Sequence, residues 1–385
     1  MTEAPRRRSP PPRPLSLWRR LVRVVPVLLG TMLFSAILQS DGAFRSSEVA
    51  AHDLWTRLRP ARDSRVALVL IHDADHRRLF GGSSPLDPRA LVRLVEAVAA
   101  ARPRVVGVDI ETAESEYSRL AIRTGGVPVV WGRSAVYSNL HGHFLAGDVL
   151  GGRRAPSGLI VLKVDSDGAV RRYQRAYRTE RGLVPSLPWA LAQASRGRDL
   201  RASEEERFVT FAGGVRRFEI AASDVLRLAR TPGWGEDSPL RDRIVLVGGD
   251  YAAQDEHDTP AGWMLGTAIL AQVVDTELGA RDGGAKVGSE WLLLPLQLLC
   301  GGVLLLFYHL LPLRRALLAS LLTFPLLAGL GSLLVFRTPW RWVYFVPALL
   351  ALVAHELYMG AADYRAALLA AAAEDLGTPE EEPRT

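Results

Sequence analysis

Two kinds of apolar pattern run along this chain. In the middle, apolar residues come in short, β-branched runs separated by turn residues. Near the ends they come in much longer runs. Val66 to Ile71 is the first short run and leads into His72-Asp73-Ala74-Asp75. After Gly81-Gly82, the pair Asp87-Pro88 predicts a helix start, with Leu91, Leu94, Val95 and Val98 on one face. Pro103 ends that helix, and Val105 to Ile110 reads as a second buried strand, so the three elements make a βαβ unit with a right-handed crossover. Val127 to Trp131, Leu159 to Val164 and Val170 to Tyr177 predict further strands, with a turn at Asp165-Ser166-Asp167-Gly168. Leu187 to Ala194 reads as a helix and Ile244 to Val247 as a strand. Leu265 to Leu278 reads as an amphipathic helix. These elements predict an α/β domain with a mixed sheet.

The longer runs predict a membrane frame. Val24 to Leu38 is the first, preceded by a cluster of arginines (Arg6, Arg7, Arg8, Arg13, Arg19, Arg20, Arg23). Ser40-Asp41-Gly42-Ala43 is a poor cleavage site, which favours an anchor over a removable signal. Trp291 to Tyr308, Ala316 to Phe336 and Trp342 to Leu357 each approach the roughly 20 residues a bilayer needs. The expected layout is a basic N-terminus over 1–20, a transmembrane helix over 21–39 and an outer domain over 40–289. Transmembrane helices follow over 290–308, 316–336 and 342–358, with a short tail over 359–385. The N-terminal arginines place both ends in the cytoplasm and the domain outside the inner (plasma) membrane, although Arg337 and Arg341 fall on the wrong side of the rule.

Composition adjusts this picture at two points. The formal charge of +6 is almost wholly arginine, since Lys163 and Lys286 are the only lysines. The arginines are scattered apart from the N-terminal cluster, which speaks against a nucleic-acid partner. The single cysteine, Cys300, excludes an internal disulfide and any Cys-based metal or redox pair. No phosphate-binding loop, nucleophile elbow or His-Glu-x-x-His motif is present, so an enzyme and a resident cofactor are not expected.

The candidate chemistry lies in carboxylates just past strand ends: Asp73 and Asp75, Asp109 and Glu111, Asp250 and Asp258. Ligands of open α/β sheets bind beyond the carboxyl ends of parallel strands. A cluster there would bind a cation or a polar ligand, with His72, His76 or His257 beside it; no particular metal is implied. The plainer reading is that each Asp caps a helix or turn. Asp165 and Asp167 read as a turn. Arg171 and Arg172 could pair with these acids or with an anionic ligand, and read more simply as a solvated or salt-bridged strand.

Taken in order, these segments resemble a known family. Val66 to Asp73, Pro85 with Asp87-Pro88-Arg89, and Val105 to Ile110 resemble the opening of the CHASE type 2 extracellular sensor domain. Gly158 to Val161, then Val164 to Arg172 with Asp165, Asp167, Gly168 and Arg171, then Pro185-Ser186-Leu187, are similar to its central signature. Ile244 to Gly249 with Gly248, followed by Asp258-Thr259-Pro260 and Gly266, is similar to its closing one. The resemblance spans roughly Val66 to Leu278. It implies a sensory input for an unknown extracytoplasmic ligand, ordinarily followed by a kinase or cyclase output. The stretch after Tyr358 is too short for such a domain, so the expected partner is a separate output protein. A homodimer is compatible with this layout, and a membrane scaffold without signalling is the alternative function.

Overall fold

The computed structural model describes residues 45–112, 121–147, 155–198, 202–212, 214–251, 255–279 and 286–287, with 315, 318–319, 330, 333, 341–342, 358, 360–362 and 364–372. The chain divides into two compact units, one of residues 50–288 with 335–342 and one of the remaining segments. In the second unit, the described residues between 360 and 372 are helical.

The centre of the first unit is a sheet of six strands: β1 (Val66–His72), β2 (Val105–Asp109), β3 (Val129–Arg133), β4 (Ser157–Leu159), β5 (Glu219–Ala221) and β6 (Ile244–Asp250). Their order is β5-β1-β6-β2-β3-β4, and every neighbouring pair is parallel. The mixed sheet expected from the sequence is thereby corrected, because among the described residues antiparallel pairs occur only in smaller separate sheets. A parallel sheet needs cover on both faces, which is why the runs at Val66 to Ile71 and Ile244 to Val247 are apolar at every position.

Helices α1 (Asp73–Leu79), α2 (Pro88–Ala100), α3 (Leu187–Ser195), α4 (Ala222–Leu228) and α5 (Gly266–Glu277) supply that cover. Ala67, Val69 and Ile71 pack with Leu91, Leu94 and Val95 of α2 and Val225 of α4 on one face. Val66, Leu68 and Leu70 pack with Leu187 and Leu191 of α3 and Leu270 and Val274 of α5 on the other. The Asp87 carboxylate accepts from the Arg89 N–H at 3.1 Å, so Asp87-Pro88 starts α2 as its residue types dictate.

Helix α5 departs from the amphipathic reading. Every residue from Ile269 to Glu277 is buried. Its second side meets Val170, Tyr173, Val209 and Phe211. Of these, Val170 and Tyr173 belong to a five-stranded sheet ordered 341–342, 286–287, 206–208, 170–174, 163–164, and Val209 directly follows its 206–208 strand. α5 is therefore an inner element with structure on both sides.

The expectation of four transmembrane helices is corrected as well. Among the described residues, no helix is long and apolar enough to cross a membrane. Arg341–Trp342, where the last span was expected to begin, instead forms a strand paired in parallel with Lys286–Val287. The segments 21–39 and 290–308, and nearly all of 316–336 and 342–358, lie outside the described residues.

Two close approaches set the spacing of α3 against the sheet. A Cβ at Gly158 would lie 2.6 Å from the Leu187 backbone, and one at Gly107 would lie 2.5 Å from a Leu191 side-chain methyl. Backbone cannot yield as a methyl can. Gly158→Ala is expected to destabilise the fold by about 2–3 kcal/mol and Gly107→Ala by about 1 kcal/mol in urea unfolding. Equal costs at the two positions would contradict this packing.

Candidate functional site

The carboxyl edge of the sheet gathers polar side chains where β1, β6 and β2 lie side by side. His72 stands opposite Asp250, and Gly248 opposite Asp109. Because side chains alternate along a strand, these four positions share the face covered by α5. The His72 Nδ1 and Asp250 Oδ2 atoms are 2.7 Å apart, both groups about half exposed.

Asp109 is held from α5. Thr267 Oγ1 donates to its Oδ2 at 2.6 Å. Gly248 makes room for this bond, since a Cβ there would collide with the Thr267 hydroxyl. Asp255 stands at the start of the same helix. Its carbonyl accepts from the Gly266 N–H at 2.8 Å, and a Cβ at Gly266 would strike its carboxylate. His257 Nε2 lies 3.1 Å from Asp255 Oδ1. Burial raises the Asp109 pKa to about 7, opposed by the Thr267 bond and reinforced by the negative charge of Asp255. Tyr251 follows β6 and stacks on His76, with ring centroids 4.3 Å apart and planes 6° from parallel. Burial and the nearby Asp109 raise its phenol pKa.

The six carboxylates singled out in the sequence thus separate. Asp109 and Asp250 reach this edge. Helix α1 begins at Asp73 without a loop, leaving Asp73 exposed and turning Asp75 inward, where it is buried and its Oδ2 has no hydrogen-bond partner among the described residues. Glu111 accepts from the Ser134 hydroxyl. Asp258 is exposed, and its carbonyl accepts from the Val170 N–H at 2.8 Å. Among the described residues, no group of three or more His, Cys, Asp or Glu could hold a metal ion.

The central signature residues build something different, a buried electrostatic frame. Gly168 adopts φ +88° in the turn, closed by bonds of 3.0 and 2.9 Å between Asp165 and residues 168 and 169. Arg171, almost wholly buried, grips both Asp53 oxygens at 2.9 and 2.8 Å and Asp167 at 2.8 Å. Pro185 ends a short strand, and Ser186, also buried, precedes α3. The Pro260 carbonyl accepts from Arg57 Nε at 3.0 Å.

A second buried pair closes the far end of α5. Glu277, with no exposure, receives Arg175 Nε at 2.8 Å, Arg175 Nη2 at 2.6 Å and the Tyr173 hydroxyl at 2.6 Å. Arg175 lies 4.0 Å over the Trp189 ring of α3. Sequence reasoning missed Asp255, Thr267, Tyr173 and Glu277. The signal for Glu277 was its place beside Asp275 as one of two acids in a largely apolar helix.

A doubly wound α/β domain, with polar groups collected at its strand ends around one helix start, is the class this geometry defines. The CHASE2 domain family model matches residues 28–308, more than half of the chain. The chain belongs to the CHASE2 family of sensory extracellular domains. No curated protein and no solved structure matches it.

A carboxyl whose folded pKa is raised stabilises the fold fully only below its unfolded pKa of about 4. That contribution is lost as the pH rises towards about 7. Asp109→Asn is therefore expected to flatten the fall in unfolding free energy between these pH values, measured by urea titration at several pH. A variant with the same pH slope as the parent would show that Asp109 does not titrate there.

Proposed function

We propose that this chain is a sensory protein whose CHASE2 domain faces the outside of the cell. In this reading it detects a small polar ligand at the strand-end cluster of Asp109, His72, Asp250 and Asp255, and passes the change to a separate output protein. The observation that carries the reading is α5. Its start bears Thr267, bonded to Asp109 at the open edge, and its end bears Glu277, locked to Arg175 in the interior. A ligand that prefers one position of this helix shifts the domain by the difference in its affinities for the two states. The family supports the sensory part, and the cluster and helix support the site and the route.

The test is crosslinking of the full chain in its own cells, followed by identification of its neighbours, with Thr267→Val in parallel. The reading expects a kinase or nucleotide cyclase among the neighbours. It also expects the output of that protein to change in the variant while the amount of chain stays constant. Recovery of envelope-assembly proteins alone, or an output indifferent to Thr267→Val, would overturn it.

A further inference from the structure

A cleft that shares no residue with the strand-end cluster lies against a four-stranded sheet ordered 182–185, 176–179, 143–146, 135–138. The strands Ala176–Thr179 and His143–Ala146 run in parallel but pair only at Thr179 and Phe144. Beside that single contact, Gly142 and His143 on one side and Ala176 and Tyr177 on the other line a cavity of about 370 Å³. That is room for a small molecule.

One part of the lining is aromatic. Tyr137 stands opposite Phe144 across the hairpin, with ring centroids 5.1 Å apart and planes at 67°. Phe144 meets Tyr177 in the same edge-on manner, at 5.1 Å and 73°. Tyr177 is buried and donates its hydroxyl to the Val161 carbonyl at 3.1 Å, which anchors the inner end of the row. Tyr137, at the outer end, is 51% exposed. A ring held on a fixed aromatic row and left half in water is a surface on which another ring stacks.

Another part of the lining carries two opposite charges. Arg178 donates to Glu204 from Nε at 3.2 Å and from Nη2 at 3.1 and 3.3 Å, both side chains being exposed. None of these bonds uses Nη1, and each Glu204 oxygen can accept a further donor. The pair therefore offers a donor to a carboxylate and an acceptor to an ammonium without having to break. A ligand with one charge would meet a like charge there, whereas a zwitterion matches both. The cleft also adjoins the buried frame. Gln174 and Glu204 line it, and the residues that directly follow them, Arg175 and Glu205, are joined at 3.0 Å in the network that holds Glu277.

We propose that this cleft binds a free aromatic amino acid. The ring lies on Tyr137, the carboxylate takes Arg178 Nη1, and the ammonium donates to Glu204. The cleft is a second input to the domain, separate from the strand-end cluster, and it stands or falls without that cluster.

Titration calorimetry on the purified full chain tests it, with L-phenylalanine, L-tyrosine and L-tryptophan each used as the probe. At least one of them binds, and L-alanine, which lacks the ring, binds about tenfold more weakly or worse. Phenylpropionate, which lacks the ammonium, and phenethylamine, which lacks the carboxylate, are weakened by about the same factor. Tyr137→Ala and Glu204→Gln each lower the affinity about tenfold. Both side chains are exposed, so each variant without ligand melts within about 2 °C of the parent. Glu204→Gln, which keeps the size of the side chain, serves the test if Tyr137→Ala loosens the hairpin. The proposal is overturned if none of the three amino acids binds below about 10 mM. It is equally overturned if L-alanine binds as tightly as they do, or if the variants bind as the parent does.

Discussion

Glu277 is a carboxylate without solvent access, and the domain is arranged around neutralising it. An uncompensated charge at that depth costs several kcal/mol. Arg175 covers both oxygens from the bend just after the 170–174 strand, Tyr173 adds a hydroxyl, and Trp189 of α3 lies under the guanidinium. The pair therefore fixes three elements relative to one another: α5, the 170–174 strand and α3. A hydrophobic pair of similar volume would fill the same space. The charged one adds direction, because the bidentate contact admits few relative positions of helix and strand.

The same helix also reaches the strand-end edge of the sheet. Over the ten residue steps from Thr267 to Glu277 it spans about 15 Å. At its start, Gly248 removes a side chain from β6 so that the Thr267 hydroxyl can bond Asp109 on β2. The open strand-end edge and the closed ionic interior are thus two ends of one buried rod. At that start, burial and Asp255 favour the protonated form of Asp109.

Much of the frame was legible in the sequence because it rests on local rules. The β-branched runs at Val66 and Ile244 are strands since nothing else buries every side chain over so short a length. Asp87-Pro88 starts α2 by its chemistry. The parallel run of β1 and β2 followed from the βαβ unit, but the direction of the remaining strands was not legible, because a fully buried run looks the same in a parallel and a mixed sheet. Leu159 to Val164 was read as one strand, yet it serves two sheets, ending β4 at Leu159 and resuming at Lys163. Of the site, Asp109 and Asp250 were found by their place after a strand. Asp75 was misplaced because the helix begins two residues earlier, which swings its side chain inward. Thr267 and Asp255 carried no local signal, for their roles arise only where α5 meets β2 and β6. Arg171 read as a surface or salt-bridged strand residue, and only the fold brings Asp53 to it across 118 positions of sequence.

The central claim is that α5 couples its two ends, and a double-mutant cycle between Thr267→Val and Glu277→Gln tests it most directly. Substitutions about 15 Å apart without shared partners ordinarily add within about 0.5 kcal/mol in unfolding free energy. A rigid coupling helix predicts a larger interaction energy, about 1 kcal/mol, between these two. Simple additivity would show that the strand-end edge and the buried Arg175–Glu277 pair are independent, and would contradict the account.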